Sequence, residues 1–435
     1  MRVAIVGAGM GGLSLGLALR ERGVAAQVFE QASELAEIGA AIALAANATR
    51  EFARLGLIDE LAATSTTPTE LIYRHWRDGH RIAAHPVRKD NWYAERFGAP
   101  FFGIHRADVQ KTLSTALGAE QLHLGCRLVN IVEQPGSVVL EFANGRVEHA
   151  DLVVGADGVR STVRRWVTGA DDAIYSGTSA FRGIVPVENL PSLPDPEAIQ
   201  FWMGPDAHLL HYAIGPDGEA VNFFAVVDTP RIWMHEGSVV DVQEEVPAAS
   251  FRDWHPAVTE MIEAASSPIR WGLFTVRPLP RWHRGRVVVL GDAAHGMLPH
   301  HGQGANTTIE DAFALAALLA ETKPDDLEPA LVRFAKLRRA RTRQIQRSSW
   351  VTSSLLHLPD GPAVRARDEK VARVPADFAW IHEYDVQQAL RAAGAPRRRR
   401  SARRPDGGDC VDQIRPNGPR CTFPAPVQRC RPGLG

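Results

Sequence analysis

Cysteine is scarce in this 435-residue chain: there are four, and only Cys126 lies outside the last 26 positions. Cys410, Cys421 and Cys430 stand eleven and nine apart, spacings that match neither a zinc site nor a redox pair. No metal is therefore expected, and a reducing cytoplasm is the default location. Long apolar runs are missing as well. None reaches the roughly 18 residues that a membrane-spanning helix needs. The glycines and Arg20-Glu21-Arg22 interrupt the N-terminal apolar stretch, so it lacks the clean hydrophobic region of a signal peptide. Excess charge is absent too. Lys and Arg number 49 against 50 Asp and Glu, for a net charge of −1, which removes a global electrostatic case for nucleic acid or a membrane as partner. What remains is 45% hydrophobic and 23% charged, ordinary for a globular enzyme and long enough for two or three domains with a cleft between them. The expected partner is a small molecule, and the expected assembly is a monomer or homodimer.

The richest stretch is 287–312, VVVLGDAAHGMLPHHGQGANTTIEDA. Residues 287–290 are apolar and β-branched, the pattern of a fully buried strand. The strand stops at Gly291-Asp292, where glycine lets backbone approach a ligand and the carboxylate projects from the strand's end. After a Pro-containing turn, Gly302-Gln303-Gly304 leads into a helix over about 306–319, whose amides and positive dipole end would face whatever Asp292 holds. A large polar cofactor suits that pairing. An ordinary strand–loop–helix unit reads the same way when this stretch is taken alone.

Residues 1–30 add a strand (3–6), a glycine turn Gly7-Ala8-Gly9-Met10-Gly11-Gly12, a small-residue helix (13–22) and a second strand closing on Glu30. Gly7 serves the tight turn, Gly9 a close pyrophosphate approach, and Gly12 helix–sheet packing. Glu30 stands where a carboxylate accepts from a ribose, which disfavours a 2′-phosphate there. Residues 70–90 alternate around Asp78-Gly79 as a hairpin. His105-Arg106-Ala107-Asp108 opens a helix, either a solvated helix start or a place from which Arg106 reaches a phosphate or flavin edge. Residues 122–132 and 138–142 read as strands, and so does 151–154, which is followed by Gly155-Ala156-Asp157-Gly158-Val159-Arg160-Ser161. Three strand-ending glycine turns, near 7, 155 and 291, are more than chance supplies.

Gly7 to Gly12 with Glu30, the turn at Asp157, and Gly291-Asp292 with Pro299, Gly302-Gln303-Gly304 and Glu310-Asp311-Ala312 together resemble the three fingerprints of the single-component FAD-dependent aromatic monooxygenases. Within that family the chain is most similar to the salicylate hydroxylase and 6-hydroxynicotinate 3-monooxygenase group. The local marks are the stretch from Glu37 to Ile42, the helix start at Arg106, and Trp202-Met203-Gly204-Pro205 leading to His208 and Tyr212. The resemblance implies an α/β fold: a Rossmann-like FAD-binding domain of the glutathione-reductase type, interleaved with an antiparallel-sheet substrate domain and followed by C-terminal helices. The expected partition is FAD binding in 1–70, 101–175 and 276–322, substrate domain in 71–100 and 176–275, helices in 323–395, and a tail in 396–435.

The resemblance further implies that Gly7, Gly9, Met10, Gly11, Gly12 and Glu30 hold the ADP half of FAD, with Ile42, Arg106, Leu128, Asp157 and Asp292 along the cofactor. Pro299 would shape the turn over the flavin, and Gly302, Gln303, Gly304, Ala305 and Asn306 would cradle its ring. NADH or NADPH would reduce the flavin, and O2 would add at C4a to give a hydroperoxide with an electrophilic terminal hydroxyl. An aromatic substrate must then be electron-rich, which deprotonating a ring hydroxyl achieves. His208 and Tyr212 share one face of a strand over 208–214 with Leu210, while His211 faces the other way. They read either as half-buried sheet residues with satisfied hydrogen bonds or as the catalytic pair. In the second case a neutral His208 is the base and Tyr212 a hydrogen-bond partner. Arg182, His300 and His301 are further substrate candidates, although a His-His pair in a loop also reads as simply solvent-facing.

Other strands are expected over 181–186, 198–203 and 221–228. The expected reaction is hydroxylation of a small phenol or aromatic acid. The alternatives are a tailoring enzyme for a larger polycyclic metabolite and a flavin-binding protein without turnover. Residues 327–350 form an Arg-rich amphipathic helix whose arginines read as a solvated face. The tail carries ten Arg against three Asp, with seven Pro and five Gly, a composition that cannot bury a core.

Overall fold

Short Val- and Ile-rich strands separated by glycine turns build a parallel sheet buried on both faces. In the computed structural model, which describes residues 1–35, 41–170, 173–243, 245–265 and 269–394, that sheet has six strands. Their order is His283–Arg284, Val287–Val289, Leu152–Gly155, Arg2–Val6, Ala25–Phe29 and Leu122–His123, all parallel except the antiparallel pair at the 283–284 edge. The three glycine turns therefore follow adjacent parallel strands and lie side by side at their carboxyl ends, where open α/β sheets bind ligands. They also interlock: Ala156 N–H donates to Val6 O at 2.8 Å, and Leu290 N–H to Gly155 O at 3.0 Å. Helix Met10–Glu21 lies against helix Gly304–Ala320 so closely that a Cβ on Gly11 would meet Thr308 Cγ2 at 2.5 Å.

The expected strand over 122–132 is two strands in two sheets. Leu122–His123 joins the parallel sheet, whereas Leu128–Gln134 pairs with Ser137–Phe142 in a separate antiparallel one. Gly125, at φ 66°, turns the chain between them, and the amides of Gly125 and Cys126 return to the carbonyls of Ala32 and Glu30. The strand expected over 181–186 likewise begins earlier and runs Ala173–Pro186.

A second sheet has eight strands in the order Val239–Asp241, Ile269–Val276, Ala173–Pro186, Ala220–Asp228, Ala207–Ile214, Ile199–Gly204, Glu70–His75 and Arg81–Pro86. Strand alternation gives it two unlike faces. Trp202, Leu209, Phe181 and Phe223 bury one face under Phe251, Trp254 and helix Pro256–Glu263. The opposite face carries His208, Leu210 and Tyr212, with Phe201, Phe224 and Arg182 as cross-strand neighbours in register. It meets the small sheet of Ala41–Leu44, Phe102–His105 and Ser65–Thr66, where the Tyr212 ring packs on Gly103 so tightly that a Cβ there would come within 3.1 Å.

Helix Leu327–Leu356 runs 30 residues, about 45 Å at 1.5 Å per residue, long enough to touch both sheets. Its arginines are not uniformly solvated, contrary to the sequence reading. Arg338 is fully buried and Arg341 nearly so, paired with Glu310 and Asp311 of the neighbouring helix. Among the described residues no helix is long and apolar enough to cross a membrane. The stretch 37–40 and the tail 396–435 lie outside the described residues.

Candidate active site

The first glycine turn leaves backbone open to a ligand. Gly7 has φ 104°, and a Cβ there would collide with Ala156 O at 2.5 Å, so only glycine fits. Gly12 packs back onto the same turn, with a Cβ meeting Gly7 O at 1.9 Å. Gly9, by contrast, has nothing within 4 Å of its would-be Cβ, the open space that a pyrophosphate approach requires. Met10 is buried behind the turn. Glu30 holds the turn from the side: its carboxylate accepts from Ala8 N–H at 2.7 Å and Ala32 N–H at 3.0 Å. Ile42, in the strand Ala41–Leu44, packs at the edge of the main core, and Leu128 is buried within it.

The second turn is braced from within by its own carboxylate. Both Asp157 oxygens serve the helix Thr162–Thr168: Oδ1 accepts from Ser161 Oγ, and Oδ2 from Thr162 N–H at 2.7 Å and Val163 N–H at 3.1 Å. Asp157 thus anchors a helix start, and three of its carboxylate's acceptor sites are already taken.

The third turn is the most heavily braced. Gly291 has φ 59°, and its N–H donates to Asp311 Oδ2 at 3.0 Å. Asp292 is exposed, with Oδ1 within 3.9 Å of a would-be Cβ on Gly304, which places the carboxylate beside the amino end of helix Gly304–Ala320. Gly302 is left-handed at φ 60°. Asn306 ties the loop, its Nδ2 donating to Gly302 O at 2.7 Å and Ala43 O at 2.9 Å, while its Oδ1 accepts from Ala45 N–H at 2.8 Å. Asn47 Nδ2 joins Gln303 Oε1 at 3.0 Å to Glu310 Oε1 at 2.5 Å. Gln303 Nε2 is a buried donor without a protein partner. Behind this loop, Arg338 donates to Asp311 Oδ1 and Glu310 Oε2, each at 2.6 Å, and Arg341 forks onto the two Glu310 oxygens through Nε and Nη2, each at 2.7 Å. Burial alone would push both carboxyls up. For Glu310 the charges of Arg341 and Arg338 outweigh it, and for Asp311 those of His295 and Arg338, so both sit below the usual carboxylate range. The open glycine backbone, the exposed Asp292 and the orphaned Gln303 amide fit FAD.

The pair after Pro299 divides. His300 turns inward and is 4% exposed, with neither ring nitrogen hydrogen-bonded and its ring centroid 5.1 Å from that of His208. The solvent-facing reading of the pair is overturned for His300, because the Pro299–His301 turn folds over the His208-bearing face of the eight-stranded sheet, with Leu298 packed on Ala180 and Val226. His301 is half-buried and points elsewhere. Its Nε2 bonds Ser348 Oγ at 2.8 Å and its ring packs on Phe378 at 4.5 Å, so it anchors the turn to the C-terminal helices instead of lining the site. Burial lowers its pKa to about 4.

His208 is 1% exposed, and its pKa is held well below 6.5, first by burial and then by His357 and His300. His211, on the opposite face, lies against Trp202 and is lowered to about 3 by burial and Arg74. Burial raises the Tyr212 phenol, while the positive charges of Arg182 and Arg106 oppose that rise. Arg106 begins helix Arg106–Leu117, and Arg182 sits over Trp271 at 4.3 Å and Phe224 at 4.9 Å.

Sequence reading missed Arg338, Arg341, His357 and Asp228. For the arginines a signal was present: Phe334, Arg338, Arg341 and Ile345 follow the 4-3-4 spacing of one helix face, and all four are buried. For His357 and Asp228, which are 129 residues apart, no local pattern exists.

Residues 1–349 match the model of a family described as "FAD binding domain". A 3-amino-4-hydroxybenzoate 2-monooxygenase of Streptomyces cremeus is 40% identical over 385 residues, covering 88% of this chain and 95% of the relative. A 6-hydroxynicotinate 3-monooxygenase of Bordetella bronchiseptica is 34% identical, over 80% of this chain and 90% of its own. A solved salicylate hydroxylase substrate complex superimposes with a TM-score of 0.78 at 28% identity, covering 91% of this chain and 98% of the other.

Proposed function

The chain belongs to the FAD-binding domain family, and on that premise we propose that it is an FAD-dependent, NAD(P)H-using monooxygenase acting on a small aromatic acid that carries a ring hydroxyl. The observation that carries this reading is the buried face on which His208 lies 5.1 Å from the unpartnered ring of His300, in the same strand as Tyr212. The amides of the Gly7–Gly12 turn with Glu30 would hold the cofactor's ADP half, Asp292 its middle, and the 302–306 backbone its ring. When bound and reduced, that cofactor supplies with O2 an electrophilic hydroxyl, so the rest of the site has to make the substrate ring electron-rich.

His208 does this by taking the ring hydroxyl's proton. A histidine held neutral by burial is ready to accept at physiological pH. Tyr212, its phenol raised above the ordinary value, remains protonated and donates to the resulting phenolate. The positive charges of Arg182 and Arg106 favour a ring bearing a carboxylate. His300 offers a polar edge to a substituent beside the hydroxyl. Excluding water strengthens each of these interactions.

A panel of 3-amino-4-hydroxybenzoate, 6-hydroxynicotinate and salicylate, added to the FAD-loaded protein, tests the reading. At least one should stimulate NADH or NADPH oxidation several-fold, with product formed in proportion. Oxidation that none of the three accelerates, together with an unchanged flavin spectrum, would overturn the substrate class.

A further inference from the structure

We propose that His208, His357 and Asp228 form a proton relay that carries the substrate hydroxyl's proton from the closed site to solvent. The relay rests on the reading of His208 as the base. His208 Nδ1 lies 2.7 Å from His357 Nε2, and His357 Nδ1 lies 2.7 Å from Asp228 Oδ1. The chain is graded in exposure: His208 is 1% exposed, the His357 side chain 4%, and the Asp228 side chain 48%. It therefore begins in the site and ends in water.

The hydrogen-bond roles follow from the acceptor at the outer end. The Asp228 carboxylate accepts from His357 Nδ1–H, so His357 Nε2 is bare and accepts from His208 Nδ1–H. His208 Nε2 is then the nitrogen left for the substrate hydroxyl. In the forward step that hydroxyl gives its proton to His208 Nε2 and keeps the bonding pair as a phenolate. The His208 Nδ1 proton passes to His357 Nε2, and the His357 Nδ1 proton passes to Asp228 and then to water. One proton leaves, and neither imidazole holds a net charge at the end. That matters because burial and the neighbouring His357 and His300 all disfavour an imidazolium at His208. A lone buried base would have to bear that charge. Running the same path backwards to reprotonate the product restores both tautomers.

Backbone contacts hold the three groups in register. Asp206, left-handed at φ 56° in the turn before strand Ala207–Ile214, donates its N–H to His357 O at 3.1 Å and accepts from Asp228 N–H at 2.8 Å. The turn that precedes His208 thus clamps the other two members. His357 is delivered there as the residue following helix Leu327–Leu356, whose earlier turns are fixed by Arg338 and Arg341.

The test is stopped-flow proton release into a dilute indicator dye when the FAD-loaded, oxygen-free enzyme meets the panel compound that most perturbs its flavin spectrum. Asp228→Asn and His357→Gln should slow release of one proton at least tenfold, raise the solvent isotope effect on that phase, and leave flavin content and compound affinity within twofold. Wild-type release rates in both variants would overturn the relay. His208→Ala separates the two ideas. If it abolishes release while the other variants do not, His208 is the base and the relay fails; if it too releases at the wild-type rate, the base assignment fails and takes the relay with it. A panel that leaves the flavin unperturbed rejects the substrate reading on which both stand. A purely structural role for His357 would lower thermal stability in His357→Gln without slowing release in the exposed Asp228→Asn.

Discussion

His300 shows how a single residue can be set against the fold. Burying an imidazole with neither nitrogen satisfied costs on the order of 1–3 kcal/mol per unmade bond, and His300 leaves both unmade. Burial, followed by His357 and His301, lowers its pKa, so it is kept neutral, with one donor and one acceptor available. Replacing it with an apolar side chain of similar size removes the unsatisfied groups and keeps the packing. His300→Leu should therefore melt at the same temperature or a few degrees higher, while compound affinity or turnover falls at least tenfold. Thermal unfolding and panel turnover, measured on one preparation, check this. A lower melting temperature with full activity would show that His300 is only a packing residue.

At the scale of elements, the 302–306 loop is only as firm as the helix pair behind it. Arg338 is wholly buried between Glu310 and Asp311, and removing one partner of a buried ion pair typically costs about 3–5 kcal/mol because the remaining charge is stranded. Arg338→Met should cost an amount of that order in denaturant unfolding and should weaken FAD retention, since Glu310 also holds Asn47 and, through it, Gln303. Arg343→Met and Arg347→Met, on the exposed face of the same helix, should change stability by less than about 0.5 kcal/mol. Equal effects at all three positions would mean that the arginines act as a solvated set. That was the sequence reading, and it failed because composition alone does not say which side of a helix an arginine occupies. The three glycine turns were legible because tight turns and close backbone approach leave a residue-type signature at each point. Helix pairing, the division of 122–134 between two sheets, and the approach of His357 to His208 depend on contacts between distant segments, which leave no such mark.

Across the whole molecule the buried histidines set the pH dependence of folding. His208 and His300 are held well below the ordinary value of 6.5, His211 lies at about 3, and His301 and His382 lie at about 4. In each case the leading cause is burial, so the folded protein keeps neutral what the unfolded chain protonates. Below about pH 6.5 the unfolded chain therefore binds more protons, and stability is lost as pH falls from there towards the folded values. Each such histidine adds a slope approaching about 1.4 kcal/mol per pH unit inside that window. Glu51 and Asp157, both raised by burial, work in the opposite direction, because the folded state keeps their protons to higher pH than the unfolded chain does. His85, His123 and His255 are lowered by burial as well, so two groups stand against eight and the histidines dominate between pH 5 and 6.5. Unfolding free energy of the FAD-loaded protein should be nearly flat from pH 7 to 8 and fall steeply between 6.5 and 5, with more than one proton taken up per molecule unfolded. His211→Asn and His382→Asn, which lie outside the proposed site, should each reduce that slope. A flat profile down to pH 5 would mean that these rings are protonated in the folded state. They would then have to be more hydrated than their burial indicates, and His208 could not act as a neutral base.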